Sequence, residues 1–419
     1  MSELPKQWER LSLVDAGMQA QTGFASGAHN RTGGGVIHLR PMNITRSGVL
    51  DLADVKYVED DTDRRVQFGD VLFNNTNSPA LVGKTALVTV TEPLAFSNHM
   101  TRLRFPANRV DPHFMAHQLQ YLWAVGYFKE ICSNHVNQAS VATKRLGAVE
   151  VVLPPLDVQQ RIVAILEDHL SRLDAGCIAL STLITRSSAW KRSLLMALLA
   201  TTEQPSAAAE RSPVHRVTAL GEVADVINGD RGKNYPSRDA YVNKGIPFVN
   251  AGHLTDGRVS LEAMNYISED CFALLSNGKL QAGDLLFCLR GSLGKVAVVD
   301  NIDKGAIASS LAIVRPKNGV SSQYLLLYLQ SDLAAAEIRR YDNGTAQPNL
   351  SAADLRKFRV PVPAVEEQAR IVSAFATSSD NCSRAVDQCH HALRLADSLR
   401  RSLLTAAFSG QLSKERSLV

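Results

Sequence analysis

The chain has 419 residues, of which 45% are hydrophobic and 21% charged, and its formal net charge is +4. These values fit a globular protein of two or three domains, and the mild basic excess is compatible with nucleic acid without singling it out. No apolar run reaches the roughly 18 residues a membrane span needs, Met1 to Gly17 carries no signal-peptide core, and the six cysteines are scattered without a C-x-x-C pair. A reduced, cytoplasmic setting is expected.

Residues 1–155 read as mixed strand and helix. Gly35–Arg40, Gly69–Phe73 and Ala86–Val90 have the look of short strands. Pro112 to Phe128 has helical spacing, with Phe114, His117, Tyr121, Leu122 and Val125 on one side. A helix start follows: Pro154-Pro155-Leu156 leads into Asp157, with Gln160 three residues on in capping-box fashion. Behind it Leu166, Leu170, Leu173, Cys177, Leu180 and Ile184 recur at alternating spacings of four and three, and the register continues through Ser187, Lys191, Leu194 and Leu198. A sustained 3.5-residue period is a coiled-coil seam. The long helix is expected over 156–200. Residues 201–216 are small, polar and proline-containing, and so read as a linker.

The chain then repeats itself. Leu153–Val163 returns as Val362–Val372, a shift of 209 residues, and Lys191-Arg192-Ser193-Leu194-Leu195 returns at the same shift as Arg400-Arg401-Ser402-Leu403-Leu404. Gly69-Asp70-Val71-Leu72-Phe73 is echoed by Gly283-Asp284-Leu285-Leu286-Phe287, and Gly83-Lys84-Thr85-Ala86 by Gly294-Lys295-Val296-Ala297, at shifts of 214 and 211. Loop lengths therefore differ between copies of one unit. A second mixed domain is expected over 217–364, a second long helix over 365–410, and a tail over 411–419. Carried forward by 209, the seam falls on Phe375, Ser379, Cys382, Val386, Cys389, Leu393, Ala396, Arg400, Leu403 and Ala407, with smaller side chains. Two helices of equal length in twofold-related units should pack antiparallel. The expected fold class is mixed α/β (α+β), with two pseudo-twofold domains separated by an antiparallel two-helix coiled coil.

Several features carry this layout: the Gly-Asp-Leu-Leu-Phe strand followed by Leu289-Arg290-Gly291-Ser292-Leu293-Gly294-Lys295, Gly344-Thr345-Ala346-Gln347 ahead of a Val-Pro-Val-Pro stretch, and the Glu-Glu-Gln-x-Arg-Ile-Val helix start. The whole set occurs twice. The arrangement resembles the specificity subunit of type I restriction-modification systems over essentially the whole chain. The resemblance implies two target-recognition domains, each reading one half of a split, asymmetric DNA target, with the helices as spacer. It also implies no catalysis in this chain and no cofactor bound by it. The expected partners are double-stranded DNA and two methyltransferase subunits that bind S-adenosylmethionine and modify adenine, with a restriction (translocase) subunit as a further possible partner. The first copy departs from the pattern: Asn75-Thr76-Asn77-Ser78 stands for Leu289–Ser292, and His135-Val136-Asn137-Gln138 for Gly344–Gln347.

Base readout needs side chains with paired donors and acceptors, Arg toward guanine and Asn or Gln toward adenine. The first domain offers Asn30, Arg31, Arg40, Asn43, Asn74, Asn75, Asn77, Lys84, Asn134, His135 and Gln138. The second offers Asn228, Arg231, Lys233, Asn234, Asn250, His253, Arg290, Ser292, Lys295, Asn343, Thr345, Gln347 and Asn349. Lys84 and Lys295 are better suited to phosphates than to bases, and Asn in a loop can equally serve the turn. Gly83-Lys84-Thr85 mimics the end of a P-loop, but Ser78 stands where the first glycine belongs and a strand follows. The aromatic after an Asn-Pro-Pro amino-methyltransferase motif is missing at Pro154-Pro155-Leu156. Cys382 and Cys389 fall on the seam, so Cys389-His390-His391 reads as helix packing and no metal is expected. Arg192 and Arg401 read as complements of the helix dipole or as solvated charges rather than as DNA contacts. The rival reading is a repeat-built helical scaffold that joins proteins without reading bases.

Overall fold

The computed structural model describes residues 5–59, 62, 64–135, 138–200, 216–342 and 348–412. The linker expected at 201–216 falls almost wholly outside them. The chain divides into unit 1, residues 1–181 with 390–419, and unit 2, residues 182–389.

In unit 1 an antiparallel sheet has the order Gln19–Thr22, Met100–Arg104, Val71–Asn74, Thr85–Leu87. A second, mixed sheet has the order Lys56–Val58, Val36–Leu39, Leu94–Phe96, Arg65–Val66. The strand Val71–Asn74 is buried along its whole length, because side chains leave it into a core on either face: Val71 and Phe73 into one, Leu72 into the other. Helix α1, Pro112–Ala124, is capped by Asp111, whose carboxylate accepts from Phe114 N at 3.0 Å. The helix does not reach Phe128: Gly126 takes φ 86°, and a separate turn, Tyr127–Ile131, follows. Nor has it one buried side. Met115 and Leu119 face the sheet core, Phe114 and Tyr121 face the long helices, and Val125 is exposed.

Helix α2 spans Leu156–Ala200. In unit 2, α3 is Ser322–Leu329, capped by Ser321, and the helix α4, Val365–Phe408, has residues in both units. Unit 2 carries a six-stranded sheet, with order Ala224–Asn228, Leu311–Pro316, Leu285–Cys288, Val296–Val298, Arg258–Val259, Leu254–Thr255.

The long helices run antiparallel. In unit 1, Ile162, Leu166 and Leu170 of α2 share a core with Leu404, Ala407 and Phe408 of α4. In unit 2, Leu195 and Leu199 meet Ile371 and Phe375. Along α2 from 177 to 191, only Cys177, Leu180, Ile184, Ser187 and Lys191 are even half-buried. That is the four-three register, but a two-helix seam leaves one side of each knob to water. Leu166 and Leu170 are buried, while Leu173, Leu180, Ile184, Leu194, Phe375, Val386, Leu393 and Leu403 are half-buried. Polar seam positions pair across it: Lys191 Nζ donates to Ser383 Oγ at 2.9 Å, and Arg400 pairs with Asp174.

The start of each long helix is held by a glutamine. Gln159 is fully buried; its amide donates to the carbonyls of Pro154 (2.8 Å) and Arg109 (2.9 Å), and its carbonyl accepts from Asp111 N (2.8 Å). Gln368 repeats this with Pro363 (2.9 Å), Gly319 (2.9 Å) and Ser321 N (2.8 Å). Each glutamine ties its helix to the capping residue of the domain helix. Asp157, expected as a cap, instead lies inside the first turn and pairs with Arg161 at 3.1 Å. Arg192 and Arg401 lie outside the last turns of their helices, neither of which holds a basic residue, so a dipole role does not fit them.

Candidate nucleic-acid interface

Both units build one turn in the same way. In unit 1, Asn74 N donates to Lys84 O at 2.8 Å, and Gly83 N to Asn74 O at 2.8 Å. In unit 2, Cys288 N donates to Lys295 O at 2.8 Å, and Gly294 N to Cys288 O at 3.1 Å. Gly83 and Gly294 sit at φ 91° and 83°, where a side chain would strain the backbone and strike Phe128 or Ile338. At the other end of each strand a buried carboxylate holds its start: Asp70 accepts from Arg104 Nη2 at 2.9 Å, and Asp284 from Arg315 Nη2 at 2.8 Å.

A second segment is laid beside each turn. In unit 1, Thr76–Asn77 pairs with Gln138–Ser140, which pairs with Ser133–His135, and Val141 N donates to Asn75 O at 2.9 Å. In unit 2, Arg290 bridges Asn349, and Leu350 N donates to Leu289 O at 3.0 Å. Arg290 Nε also donates to Asn349 Oδ1 at 3.1 Å. Two loops distant in sequence thus share one edge in each unit. Asn134 and Gln138 are exposed on that edge in unit 1, with Asn77 half-buried; Arg290, Ser292, Lys295 and Asn349 are exposed on it in unit 2. Asn343, Thr345 and Gln347 lie outside the described residues, as does the side chain of His135.

A different loop of unit 2 presents Arg231 and Lys233, both exposed. Asp230, unremarked in the sequence, organises it by accepting from Gly232 N at 2.9 Å and Ser276 N at 2.8 Å. Those bonds stabilise the carboxylate and hold its pKa below the usual range. Asn234 donates to Leu274 O at 2.9 Å. Asn228 ends the strand Ala224–Asn228 and has a buried Oδ1 without a hydrogen-bond partner.

Other candidates are occupied by the fold. Lys84 is buried and its ammonium donates to the carbonyls of Pro41 (3.1 Å) and Ile44. Burial, and then the charge of Arg46, lower its pKa. It closes a turn 40 residues away and does not face phosphate; Lys295, its counterpart, is exposed. Asn43 is buried and binds Arg40 N, Asp51 O and Asp54 O. Asn74 donates to Leu81 O and Asn75 to Thr101 Oγ1. Asn30 closes its own turn through Gly34 O at 2.9 Å and Thr32 N at 3.1 Å. His253 is buried between Asn250 N (3.1 Å) and Ala263 O (3.3 Å), and Asn250 caps the same turn through Gly252 N (2.8 Å). These residues are the turn chemistry of the scaffold. Arg31 is exposed, 3.4 Å from Asp54. Arg40 is half-buried, with Nε and Nη2 unpartnered.

Among the described residues no three His, Cys, Asp or Glu are gathered to hold a metal, and no helix is long and apolar enough to cross a membrane.

A doubled mixed domain with an antiparallel long-helix pair, and a matched loop edge in each copy, defines a two-headed recognition protein. The sequence model of the type I restriction modification DNA specificity domain matches this chain twice, over residues 5–181 and 216–384. The chain belongs to that family. It is 22% identical to the specificity subunit of the type I restriction enzyme EcoBI of Escherichia coli, over 79% of this chain and 72% of that protein. The fold matches the HsdS subunit of Thermoanaerobacter tengcongensis at a TM-score of 0.60, covering 98% of each chain with 21% identity. It also matches a chain from a structural study of complex assembly and conformational transition in the type I R-M system, at a TM-score of 0.71 and 19% identity, covering 97% of this chain and 99% of that one. A scaffold that never reads bases is not favoured by a DNA specificity domain in both repeats.

Proposed function

We propose that the chain is the DNA-specificity subunit of a type I restriction-modification assembly, reading a split, asymmetric target and doing no chemistry itself. The observation that carries this reading is the matched loop edge: one hydrogen-bonded frame, built twice, with Asn77 and Gln138 on one copy and Arg290 and Asn349 on the other. Arg suits the paired acceptors of guanine, Asn and Gln the acceptor–donor pair of adenine. Unlike edges on like frames would read unlike half-sites. Arg231 and Lys233 supply further contacts, and exposed Lys295 suits a phosphate.

The partners in this reading are double-stranded DNA and two methyltransferase subunits, which carry S-adenosylmethionine and methylate adenine; a restriction subunit joins where the system cleaves. Apolar side chains stand exposed off the seam: Leu395 and Leu399 in unit 1, Leu183 and Trp190 in unit 2. Each unit thereby offers helical surface to one methyltransferase copy.

The test is to co-express the chain with a methyltransferase subunit encoded beside it and map N6-methyladenine across the host genome. One split, asymmetric motif that vanishes without this chain is expected. A complex that co-purifies yet methylates no defined motif would overturn the reading.

A further inference from the structure

Unit 1 contains a cleft of about 340 Å³ between the end of α1 and the last third of α4, with Arg46, Lys129, Arg400 and Arg401 around it, Trp123 on one wall and Asp397 as its one carboxylate. Arg400 is turned away to Asp174. Arg46, Lys129 and Arg401 are exposed and make no ion pair among the described residues. The backbone of Arg46 is fixed to the wall, since Gln120 Nε2 donates to its carbonyl at 2.7 Å. The concavity thus gathers three exposed cations against the single carboxylate of Asp397, and of the three only Lys129 sits in the last turn of a helix, the short Tyr127–Ile131.

The cleft continues the reading edge. Pro79 and Ala80, on its wall, follow the strand Thr76–Asn77 after Ser78. A DNA strand whose bases meet Asn77 and Gln138 carries its backbone onward over those residues. The equivalent hairpin of unit 2 turns at Asp256-Gly257, so a carboxylate stands in the place of Arg46, and the arginine that follows, Arg258, lies 3.7 Å from Asp300. Arg401 returns in unit 2 as Arg192, so the units differ at the position of Arg46, as surfaces that meet an asymmetric DNA target would.

We propose that this cleft holds backbone phosphates of the DNA beside the half-site read by unit 1, with Arg46, Lys129 and Arg401 as the contacts. The proposal rests on the DNA-reading function above and adds a positioning site to it. Phosphate contacts set register and affinity without carrying sequence.

The experiment measures binding of the assembled methyltransferase complex to its target duplex, and to an unrelated duplex, over a range of salt. Each phosphate neutralised contributes about 0.9 to the slope of log affinity against log salt, so the triple variant Arg46→Gln, Lys129→Gln, Arg401→Gln should lose about 2.7. Both duplexes should weaken by the same factor, the methylated motif should stay unchanged, and thermal stability should not fall. Arg401→Lys should keep the slope. A triple variant with the wild-type slope overturns the proposal. So does one that fails to assemble while its residual binding keeps that slope, which would make the cleft a protein-docking site. A wild-type complex that cannot tell the two duplexes apart would sink the underlying reading, and this proposal with it.

Discussion

In unit 1 the turn from Asn74 to Gly83 buries the lysine that follows it; in unit 2 the turn from Cys288 to Gly294 leaves the corresponding lysine in water. The backbone hydrogen bonds are the same, as are the carboxylate at the strand start and the glutamine at the helix start. What differs is side chains that the frame does not use. The same holds on the domain helices: His117 lies on α1 five positions after Pro112, and Leu327 takes the matching place on α3, five after Ser322. Buried glutamines, carboxylates and glycines keep the two units alike, so the loop edges are free to diverge without cost to the frame. That freedom is what a protein reading two unlike half-sites needs.

If the frame is shared, breaking it should cost the two units equally. Asp70→Ala and Asp284→Ala each leave an arginine without its carboxylate and the turn before the strand, Gln67–Asp70 or Gln281–Asp284, unheld. Each should destabilise its own unit by about 3 kcal/mol. Hydrogen exchange of the strands Val71–Asn74 and Leu285–Cys288 would read the two losses separately, and a large loss in only one unit would break the equivalence.

Acid should part the units. Burial pushes the pKa of His117 down to about 4, against the raising effect of Glu167 and helped by His113 and Arg400. The unfolded chain takes up this proton near pH 6.5 and the folded chain does not until about pH 4. Stability of unit 1 is therefore complete above pH 6.5 and declines as pH falls from 6.5 toward 4, by on the order of 2–3 kcal/mol from this residue. Leu327 gives unit 2 no such term. Chemical denaturation at pH 7 and pH 5 should show the decline, and His117→Leu should flatten it; an unchanged pH dependence in that variant would place the cause elsewhere.

The smallest effects should be the most selective. Arg290→Gln should cost about 1–3 kcal/mol of discrimination at one base pair, and Asn77→Ala a similar amount in the other half-site. Methylation mapping would show which half of the motif relaxes. Relaxation of both halves by either change would mean that the edges do not read separately.

The two long helices were legible because a 3.5-residue apolar period sustained over some 40 residues arises almost only in a long helix packed along one stripe, and because its register returned 209 residues on. Their polar seam positions were legible for the same reason. The inner face of α1 was not: Met115 and Leu119 lie between residues that already made one apolar stripe, and only the sheet core beneath them gives α1 two buried faces. Candidate contacts were harder. Asn43, Lys84 and His253 have the chemistry of readers, but each is bonded to backbone of its own fold, in the case of Lys84 across 40 residues. Nothing local in a sequence reports where a lysine's ammonium will find its carbonyls. Gln159 and Gln368 did leave a signal: they match across the repeat while the residues on either side differ, Val158 and Gln160 against Glu367 and Ala369. The cleft of Arg46, Lys129 and Arg401 left none, since it joins segments from three distant parts of the chain.

On the proposed function, the two units read DNA independently of one another. Replacing residues 217–363 with the corresponding domain of another family member, then mapping N6-methyladenine in cells that carry the methyltransferase partner, tests it most directly. A motif with one new half is expected, the other half and the spacer length unchanged. A motif altered in both halves would contradict it.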